Sequence, residues 1–313
     1  MIMVINMRSS RKKKKSIIKK LVTFFIVLVL LVAGTFLYSR FLATTGLEIR
    51  EYSIQNSLFE KNFHGFKILH MSDIHYLTTV DEDDLKTIVK KINQLKPDIV
   101  VLTGDLLDEH VEYSNQELEV LETELSKIEV TTNKYAISGD EDEKKTEWET
   151  VIKNSNFINL NNTYDLIYNG VGSPIMLSGL SSNLKEKDMI TTKIKAIEEQ
   201  IDNTLPTVDQ NGNKLYGINN PIYQILLLHE PDYIDEFNYH KFQLILAGHS
   251  LNGQIRLPGI GGILRKKGAT NYQDASYELE GTKLFVSGGI GTTNNIPYRF
   301  CNRPSVNLYR LTQ

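Results

Sequence analysis

The chain has 313 residues, of which 41% are hydrophobic and 23% charged, a composition typical of a folded protein and unlike that of a disordered or collagen-like chain. Its net charge of −3 hides an asymmetry, because residues 1–49 carry nine basic residues and one acidic residue, whereas residues 50–313 carry 26 basic and 37 acidic side chains. Nucleic-acid binding depends on neutralisation of phosphates by Lys and Arg, so the acidic body disfavours a nucleic-acid partner.

The N-terminal segment predicts a membrane anchor. Residues 21–39 contain no charged residue, and as a helix they span roughly 28 Å, close to the hydrocarbon thickness of a bilayer. Eight basic residues precede this stretch and only Arg40 follows it closely, so the positive-inside rule places residues 1–20 in the cytoplasm. We therefore predict a single-pass cell-membrane protein with a connector at 40–53 and an extracytoplasmic domain at 54–313. A cleaved signal peptide is the alternative, but its apolar region usually has about 7–15 residues.

Apolar strand-like runs alternate with helical patterns in the remainder of the chain. Helices are predicted at 84–95, 116–128, 144–153 and 185–201. Strands are predicted at 66–71, 98–102, 134–138, 175–177, 224–228, 244–246 and 284–286. Continuous apolar strands between helices indicate sheets that helices cover. We therefore expect an α/β fold, a two-sheet α/β sandwich flanked by helices, with a polar loop at 202–221.

Five polar clusters each follow an apolar strand-like run. They are Asp73-Ile74-His75, Gly104-Asp105, Gly139-Asp140, His229-Glu230 and Gly248-His249. Ligand sites in open α/β sheets form beyond the carboxyl ends of strands, so we expect these side chains to converge. Cys301 is the only cysteine, which excludes an intrachain disulfide and a cysteine-cluster zinc site. Carboxylates and imidazoles without thiols suit divalent ions such as Mn²⁺, Fe²⁺, Zn²⁺ or Mg²⁺.

The ordered set of these clusters resembles the calcineurin-like metallophosphoesterase family, whose signature is D-x-H, G-D, G-N-H-E/D, a single H, and G-H-x-H. The matching segments are SDIH (72–75), TGD (103–105), SGDED (138–142), LLLHEP (226–231) and AGHSLNGQIRLP (247–258). The closing run GGIGTTNNIPYRFCNRP (288–304) is similar to the tail of a membrane-anchored subgroup that resembles lipid-sugar nucleotide pyrophosphatases. The resemblance covers residues 64–313, and it implies the two-sheet fold and hydrolysis of phosphate esters.

Position by position, the resemblance implies a two-metal centre. Asp73 and His75 would bind the first metal, and Asp105 would bridge both metals. Such a centre clamps a phosphoryl group, neutralises its charge and activates a bound water that attacks phosphorus. The implied metal ligands are Asp73, His75, Asp105, Asp140, His229 and His249, and the catalytic candidates are Asp105, Asp140 and Glu141.

Two positions depart from the family pattern. Leu251 stands where the last His of G-H-x-H would bind the first metal, and leucine cannot coordinate an ion. Glu141 stands where the family has a His that contacts the phosphate, and a carboxylate there would repel an anionic substrate unless it were protonated or turned to a metal. Oxygen ligands that could replace the missing histidine are offered by Ser250, Asn252, Asp142 and Glu141.

Two functions follow from this pattern. The first is a metal-dependent phosphoesterase that hydrolyses a phosphate mono- or diester or a pyrophosphate near the outer face of the membrane. Its substrate would be a phosphorylated small molecule or a lipid-linked compound. The second is a degenerate single-metal protein that binds a phosphorylated ligand with little or no turnover. Serine hydrolases and P-loop or dinucleotide-binding proteins are excluded, because no G-x-S-x-G, P-loop or G-x-G-x-x-G motif is present.

Overall fold

The computed structural model describes residues 2–182, 189–204 and 222–313. Two six-stranded sheets pack face to face, and helices cover their outer surfaces. This four-layer arrangement confirms the predicted two-sheet α/β sandwich flanked by helices.

The first sheet carries four of the six predicted metal ligands, Asp73, His75, Asp105 and Asp140. It contains β1 (Glu48–Gln55), β2 (Lys67–Met71), β3 (Ile99–Thr103), β4 (Lys134–Ile137), β5 (Phe157–Asn159) and β14 (Ser305–Thr312) in the order β1-β14-β2-β3-β4-β5. Helices α2 (Glu82–Leu95), α3 (Asn115–Ser126) and α4 (Trp148–Asn154) connect the parallel strands β2 to β5. The carboxyl ends of β2, β3 and β4 therefore lie side by side at one edge of the sheet.

The second sheet is mixed. It contains β6 (Thr163–Ile167), β7 (Ile175–Gly179), β8 (Gln224–Leu228), β9 (Leu244–Ala247), β12 (Ser276–Leu279) and β13 (Thr282–Val286) in the order β12-β13-β9-β8-β7-β6. Strands β7, β8, β9 and β13 are parallel, and β6 and β12 pair antiparallel at the two edges. A short hairpin of β10 (Arg256–Leu257) and β11 (Gly261–Gly262) lies between β9 and β12 in the chain, and α5 (Ile190–Thr204) covers the outer face.

Three apolar clusters explain why the central strands are apolar at consecutive positions. Ile68, Val101 and Leu246 belong to the cluster between the two sheets, whereas Leu69 and Val100 point to the cluster beneath α2 to α4. The third cluster packs the opposite face of the second sheet against α5. Strands that are buried on both faces need apolar residues at consecutive positions. Consecutive apolar positions, rather than alternation of apolar and polar residues, are therefore the pattern of a sheet with two covered faces.

Two predicted helices begin later than expected. At 144–153, a 3₁₀ turn covers Asp142–Lys144 and α4 starts only at Trp148, because Lys145 has an extended backbone that interrupts the helix. At 185–201, α5 begins at Ile190 and continues to Thr204, and residues 185–188 lie outside the described residues. The predicted loop at 202–221 is helical to Thr204, and the remainder of it lies outside the described residues.

The N-terminal helix α1 (Ile2–Leu37) continues into a π-helical turn at Tyr38–Leu42. Within it, Ser16–Leu42 is long and apolar enough to cross a membrane, and none of its most apolar window is buried in the protein. This finding is consistent with a single-pass membrane protein. The predicted connector at 40–53 runs into β1, which pairs with β14 along its whole length. We therefore propose that the globular domain begins near Glu48 rather than at residue 54.

One buried histidine of the first sheet predicts a pH dependence of stability. His70 hydrogen-bonds Thr103 Oγ1 through Nε2 at 2.8 Å, and burial lowers its pKa to about 3. Between pH 6.5 and 3 the unfolded chain therefore binds a proton that the folded chain does not, so stability falls as pH falls. We expect the free energy of unfolding to lose up to about 1.4 kcal/mol per pH unit from this group, and His70→Gln to remove that slope.

Urea unfolding of the full-length chain at several pH values between 4 and 7 measures this contribution. His64→Gln, a change at an exposed histidine, serves as the matched control and should leave the slope unchanged. Equal pH slopes for the wild type and His70→Gln would contradict the assignment.

Candidate metal centre

The predicted ligands all follow strands whose carboxyl ends meet between the two sheets. Their strands are β2 for Asp73 and His75, β3 for Asp105, β4 for Asp140 and Glu141, β8 for His229 and β9 for His249. Four of these residues have left-handed backbones, with φ of +50° at Asp73, +44° at His75, +52° at Asp105 and +63° at His249. Such a conformation costs about 1–3 kcal/mol in a residue other than glycine and persists where the surrounding structure enforces it. The strained positions therefore cluster where the sequence predicts the site.

Four of the predicted ligands form one group, which we call the four-residue group: Asp105, Asp140, His229 and His249 each place a ligand atom within 4.8 Å of the others. His229 Nε2 lies 3.2 Å from Asp105 Oδ2 and 3.4 Å from Asp140 Oδ1. His249 Nδ1 lies 3.2 Å from the same Asp140 oxygen. Donor atoms that all bind one ion at about 2.0–2.2 Å lie about this far from one another.

Backbone carbonyls fix the tautomers of the two histidines. His229 Nδ1 lies 2.7 Å from the carbonyl oxygen of Thr103, and His249 Nε2 lies 2.8 Å from that of Lys267. A carbonyl only accepts hydrogen bonds, so each of these nitrogens carries the proton and donates it. The other nitrogen of each ring faces a carboxylate, and when it is deprotonated its lone pair is available to an ion. This is the arrangement in which metal-binding histidines are oriented by a hydrogen bond on the far side of the ring.

Three atoms at the centre of the four-residue group have no hydrogen-bond partner among the described residues. His229 Nε2, His249 Nδ1 and Asp140 Oδ1 are buried and accept no hydrogen bond. Lone pairs that face one another in a buried site repel unless a cation lies between them, and two imidazoles with two carboxylates are a suitable donor set for a divalent metal. The residues therefore fit such an ion.

The same geometry makes metal binding compete with protons. Burial alone lowers the pKa of His229, but the carboxylates of Asp105, Asp140 and Glu230 together outweigh burial and hold this pKa well above its usual value. Burial alone raises the pKa of Asp140, but the nearby imidazoles of His229 and His249 together outweigh burial and hold this pKa well below its usual value. An ion that enters must displace the second proton of His229, so ion binding strengthens as pH rises.

The three predicted first-metal ligands also come together. Asp73, His75 and Asp105 place ligand atoms within 4.8 Å of one another, and we call them the three-residue group. His75 Nε2 lies 3.7 Å from Asp105 Oδ2 and has no hydrogen-bond partner. Both oxygens of Asp73 accept the backbone N–H of His249 at 3.1 Å. Asp105 belongs to both groups, which is the placement that a bridging ligand requires.

Leu251 packs directly beside the three-residue group. Its side chain is fully buried, and a Cβ added at Gly289 would collide with Leu251 Cδ2 and lie 3.1 Å from Asp73 Cβ. The backbone of Leu251 has φ of +52°, an uncommon conformation for leucine. The site that lacks a fourth ligand is therefore filled by an apolar side chain.

Glu141 is directed at His75. Its Oε2 lies 3.3 Å from His75 Nδ1 and accepts the backbone N–H of Glu109 at 3.2 Å. Asp108 Oδ2 lies 3.3 Å from the same His75 nitrogen. Burial alone lowers the pKa of His75, but Asp108 and Glu141 outweigh it and raise this pKa to about 10. The carboxylate that was expected to repel substrate is therefore oriented toward an imidazole and a backbone donor.

Asp108 is a site residue that the family motifs above do not predict. It lies three residues after Asp105, and its two oxygens accept the backbone N–H groups of His110 and Asn294 at 2.9 and 3.0 Å. The only signal in the sequence is a second aspartate shortly after Gly104-Asp105. Its position beside His75 depends on the fold of the loop.

Three of the oxygen groups considered as replacements for the missing histidine have structural hydrogen bonds. Asp142 accepts the backbone N–H groups of Leu107 and Gly139, both at 2.9 Å. Asn252 Nδ2 donates to the Val286 carbonyl at 3.0 Å, while Asn252 Oδ1 accepts from Arg50. Ser250 Oγ accepts the backbone N–H of Asn252 at 3.1 Å. The fourth candidate, Glu141, faces His75 as described.

Gly104 sets how closely β3 and β4 approach at the site. Its φ is +88°, and an added Cβ would meet His229 Nδ1 and lie 2.6 Å from the Gly139 backbone nitrogen. We expect Gly104→Ala to destabilise the fold by more than about 2 kcal/mol through strain and overpacking. Gly281 has φ of +93°, and a Cβ added there would meet no atom within 4 Å. Gly281→Ala therefore shows the effect of backbone strain without overpacking and should lower stability less than Gly104→Ala. Thermal unfolding of the two variants checks this, and equal losses would contradict it.

Comparison with known proteins identifies the family of the chain. The family model for the calcineurin-like phosphoesterases matches residues 66–253, more than half of the chain. The protein therefore belongs to the calcineurin-like phosphoesterase family, whose members are metal-dependent phosphoesterases.

Several curated relatives match across most of their length. The chain is 28% identical to the uncharacterized metallophosphoesterase YkuE of Bacillus subtilis, over 90% of this chain and 91% of YkuE. It is 24% identical to YkoQ, a second uncharacterized metallophosphoesterase of the same organism, over 90% of this chain and 97% of YkoQ. It is also 24% identical to the UDP-2,3-diacylglucosamine pyrophosphatase LpxG of Chlamydia trachomatis, over 80% of this chain and 84% of LpxG.

Proposed function

We propose that the protein hydrolyses a phosphate mono- or diester or a pyrophosphate near the outer face of the membrane, with a divalent metal as cofactor. The four-residue group carries this proposal. Two carboxylates and two imidazoles converge there, and three of their atoms are buried without a hydrogen-bond partner in the part of the chain that the structure describes. A purely structural polar cluster would satisfy these atoms within the protein, since buried polar groups are nearly always hydrogen-bonded.

The proposed roles follow from the two groups. Asp140, His229 and His249 would hold one ion together with Asp105, and Asp73 and His75 would hold a second through the same bridge. When bound, such ions supply positive charge for a phosphoryl group and lower the pKa of a coordinated water. The second ion would be held more weakly, because the three-residue group offers fewer protein ligands. The protein therefore should bind one ion tightly and the other weakly.

Glu141 and Asp108 act on the orientation of His75. If Nδ1 carries the proton, 3.3 Å from an oxygen of each of these two carboxylates, the ring presents its other nitrogen to the three-residue group. We propose that Glu141 has this positioning role rather than direct contact with the leaving group.

The membrane helix suggests the substrate class. A domain tethered close to the bilayer encounters substrates that are displayed there, and the relative LpxG is named for a lipid-linked nucleotide substrate. We therefore propose a phosphorylated small molecule or a lipid-linked phosphate or pyrophosphate as substrate, on the extracytoplasmic side.

Metal removal from the full-length protein in lipid nanodiscs tests the proposal. We expect hydrolysis of bis(4-nitrophenyl) phosphate to disappear after chelation and dialysis and to return on addition of Mn²⁺. Circular dichroism establishes that the chelated protein is folded. Absence of metal-dependent hydrolysis of diester, monoester and pyrophosphate substrates with Mn²⁺, Mg²⁺, Zn²⁺ and Fe²⁺ would refute the enzyme proposal. Retention of one tightly bound ion in that case would favour the phospho-ligand binding protein.

A further inference from the structure

An uncharged, apolar hairpin projects from the second half of the fold. The eight residues 257–264, LPGIGGIL, lie between Arg256 and Arg265 and include β11 and the turn before it. Ile260 is 75% exposed, Ile263 47% and Leu257 37%. We call these three residues the hairpin tip. Three branched apolar side chains on one short hairpin form an apolar surface that nothing in the described part of the chain covers.

The base of the hairpin is fastened to the loop at 296–300. Ile255 pairs with Phe300 in an isolated β-bridge, and the Arg256 backbone N–H donates to the Phe300 carbonyl at 2.8 Å. Gln254 Nε2 donates to the carbonyls of Ile296 and Tyr298 at 2.6 and 3.0 Å. The hairpin and this loop therefore form one unit.

The same loop holds the end of the membrane helix. Ser39 is buried and exchanges hydrogen bonds with Arg299, because Ser39 Oγ donates to the Arg299 carbonyl at 2.7 Å and the Arg299 N–H donates to the Ser39 carbonyl at 3.0 Å. The rings of Tyr38 and Phe300 meet edge to face at 5.9 Å. Phe41 and Leu42, just beyond, are exposed. The hairpin tip therefore lies only a few residues along the hairpin from the loop that contacts the end of the membrane helix. This length of extended chain is roughly 15 Å at about 3.3 Å per residue.

We propose that the hairpin tip inserts into the interfacial region of the bilayer that α1 crosses. The apolar tip and the exposed apolar end of the helix are attached to the same loop, and Arg265, Lys266 and Lys267 follow the tip directly in the chain. Apolar side chains flanked by basic residues match a bilayer surface with anionic headgroups. A tether and an inserted hairpin fix two points, so together they set the orientation of the domain on the membrane.

This placement links the membrane surface to the candidate metal centre. His249 Nε2 donates to the carbonyl of Lys267, which belongs to the basic run after the hairpin. His249 also precedes the hairpin by only seven residues in the chain. Insertion of the tip therefore holds the centre close to the headgroup layer, which extends the proposed function toward phosphates presented by lipids. The docking surface itself rests on α1 crossing a bilayer and not on hydrolysis.

Fluorescence quenching in nanodiscs tests the insertion with the full-length chain. Cys301 is the only cysteine and is exposed, so Cys301→Ser gives a background for single labels. An environment-sensitive fluorophore is placed in that background by Ile260→Cys and, as the matched control, by Val171→Cys. Val171 is an apolar residue that is 97% exposed on the β6–β7 turn. Nanodiscs contain phosphatidylcholine with or without 30% phosphatidylglycerol, and quenchers are nitroxides on the lipid acyl chain or iodide in the water.

We expect lipid nitroxides to quench the label at 260 at least threefold more strongly than the label at 171, and iodide to show the reverse order. Phosphatidylglycerol should increase the difference. Equal quenching of both labels by iodide would overturn the proposal, because the tip would then lie in water. A label at 260 shielded from both quenchers would also overturn it and would indicate a protein partner or a second copy on the hairpin. Because no substrate is used, these outcomes do not depend on whether the protein is a hydrolase.

Discussion

Replacement of Asp105 by asparagine is expected to abolish metal-dependent hydrolysis while leaving the fold intact. Asp105 lies 3.2 Å from His229 Nε2 and 3.7 Å from His75 Nε2, and it belongs to both ligand groups. Asparagine has the same shape and keeps an oxygen that accepts the Glu141 backbone N–H, which Asp105 Oδ1 accepts at 3.1 Å. It removes the negative charge that both ions would share. We expect a loss of at least about 100-fold in kcat/KM, since even changes outside the ligand set cost about 10–100-fold.

The assay uses full-length protein in nanodiscs with Mn²⁺ and an aryl phosphodiester, and metal content is measured on the same samples. Asp83→Asn is the matched control, because the Asp83 side chain is 92% exposed in the first turn of α2. The control should retain wild-type activity and metal content. Full activity in Asp105→Asn would show that hydrolysis does not depend on the bridging carboxylate and would refute the proposed centre. Circular dichroism distinguishes a loss of activity that is caused by unfolding from one that is caused by the missing carboxylate.

The positions of the predicted ligands could be anticipated because the signal is local. Asp73, Asp105 and Asp140 each follow a short apolar run that ends in a polar residue, and such runs are buried parallel strands here. The carboxyl ends of adjacent parallel strands share one edge of a sheet, so residues far apart in sequence meet there without further information. The convergence of Asp73, Asp105 and Asp140 therefore follows from strand order alone, whereas His229 and His249 reach them because the second sheet packs against the first.

Other features of the site depend on contacts that the sequence does not encode locally. The carbonyls of Thr103 and Lys267 fix the histidine tautomers, and any residue type could supply a carbonyl there. Asp108 reaches His75 only through the loop after β3. Strand β1 has a largely polar sequence, EIREYSIQ, and becomes a strand because β14 offers an edge to pair with. Each of these features becomes predictable only when the tertiary partner is known.

The position of Leu251 leads to the second prediction with a large expected effect. Its backbone lies in the left-handed region, which histidine adopts more readily than leucine. Its side chain packs beside Asp73, where the three-residue group lacks a fourth ligand. A histidine of similar volume at this position would place an imidazole against Asp73 with little change in the fold. We therefore expect Leu251→His to complete the weaker site.

The expected result is a rise in tightly bound Mn²⁺ from about one to about two ions per chain, with affinity at the second site increased by at least about tenfold, a typical effect of strengthening a metal site. Metal content after gel filtration and titration calorimetry on the full-length protein measure both quantities. Leu251→Met is the matched control, because it keeps the volume and offers only a thioether that binds Mn²⁺ poorly. If Leu251→His binds no more metal than Leu251→Met, the three-residue group is not a metal site. If hydrolysis rises with the second ion, the apolar residue at 251 limits the activity of the native protein.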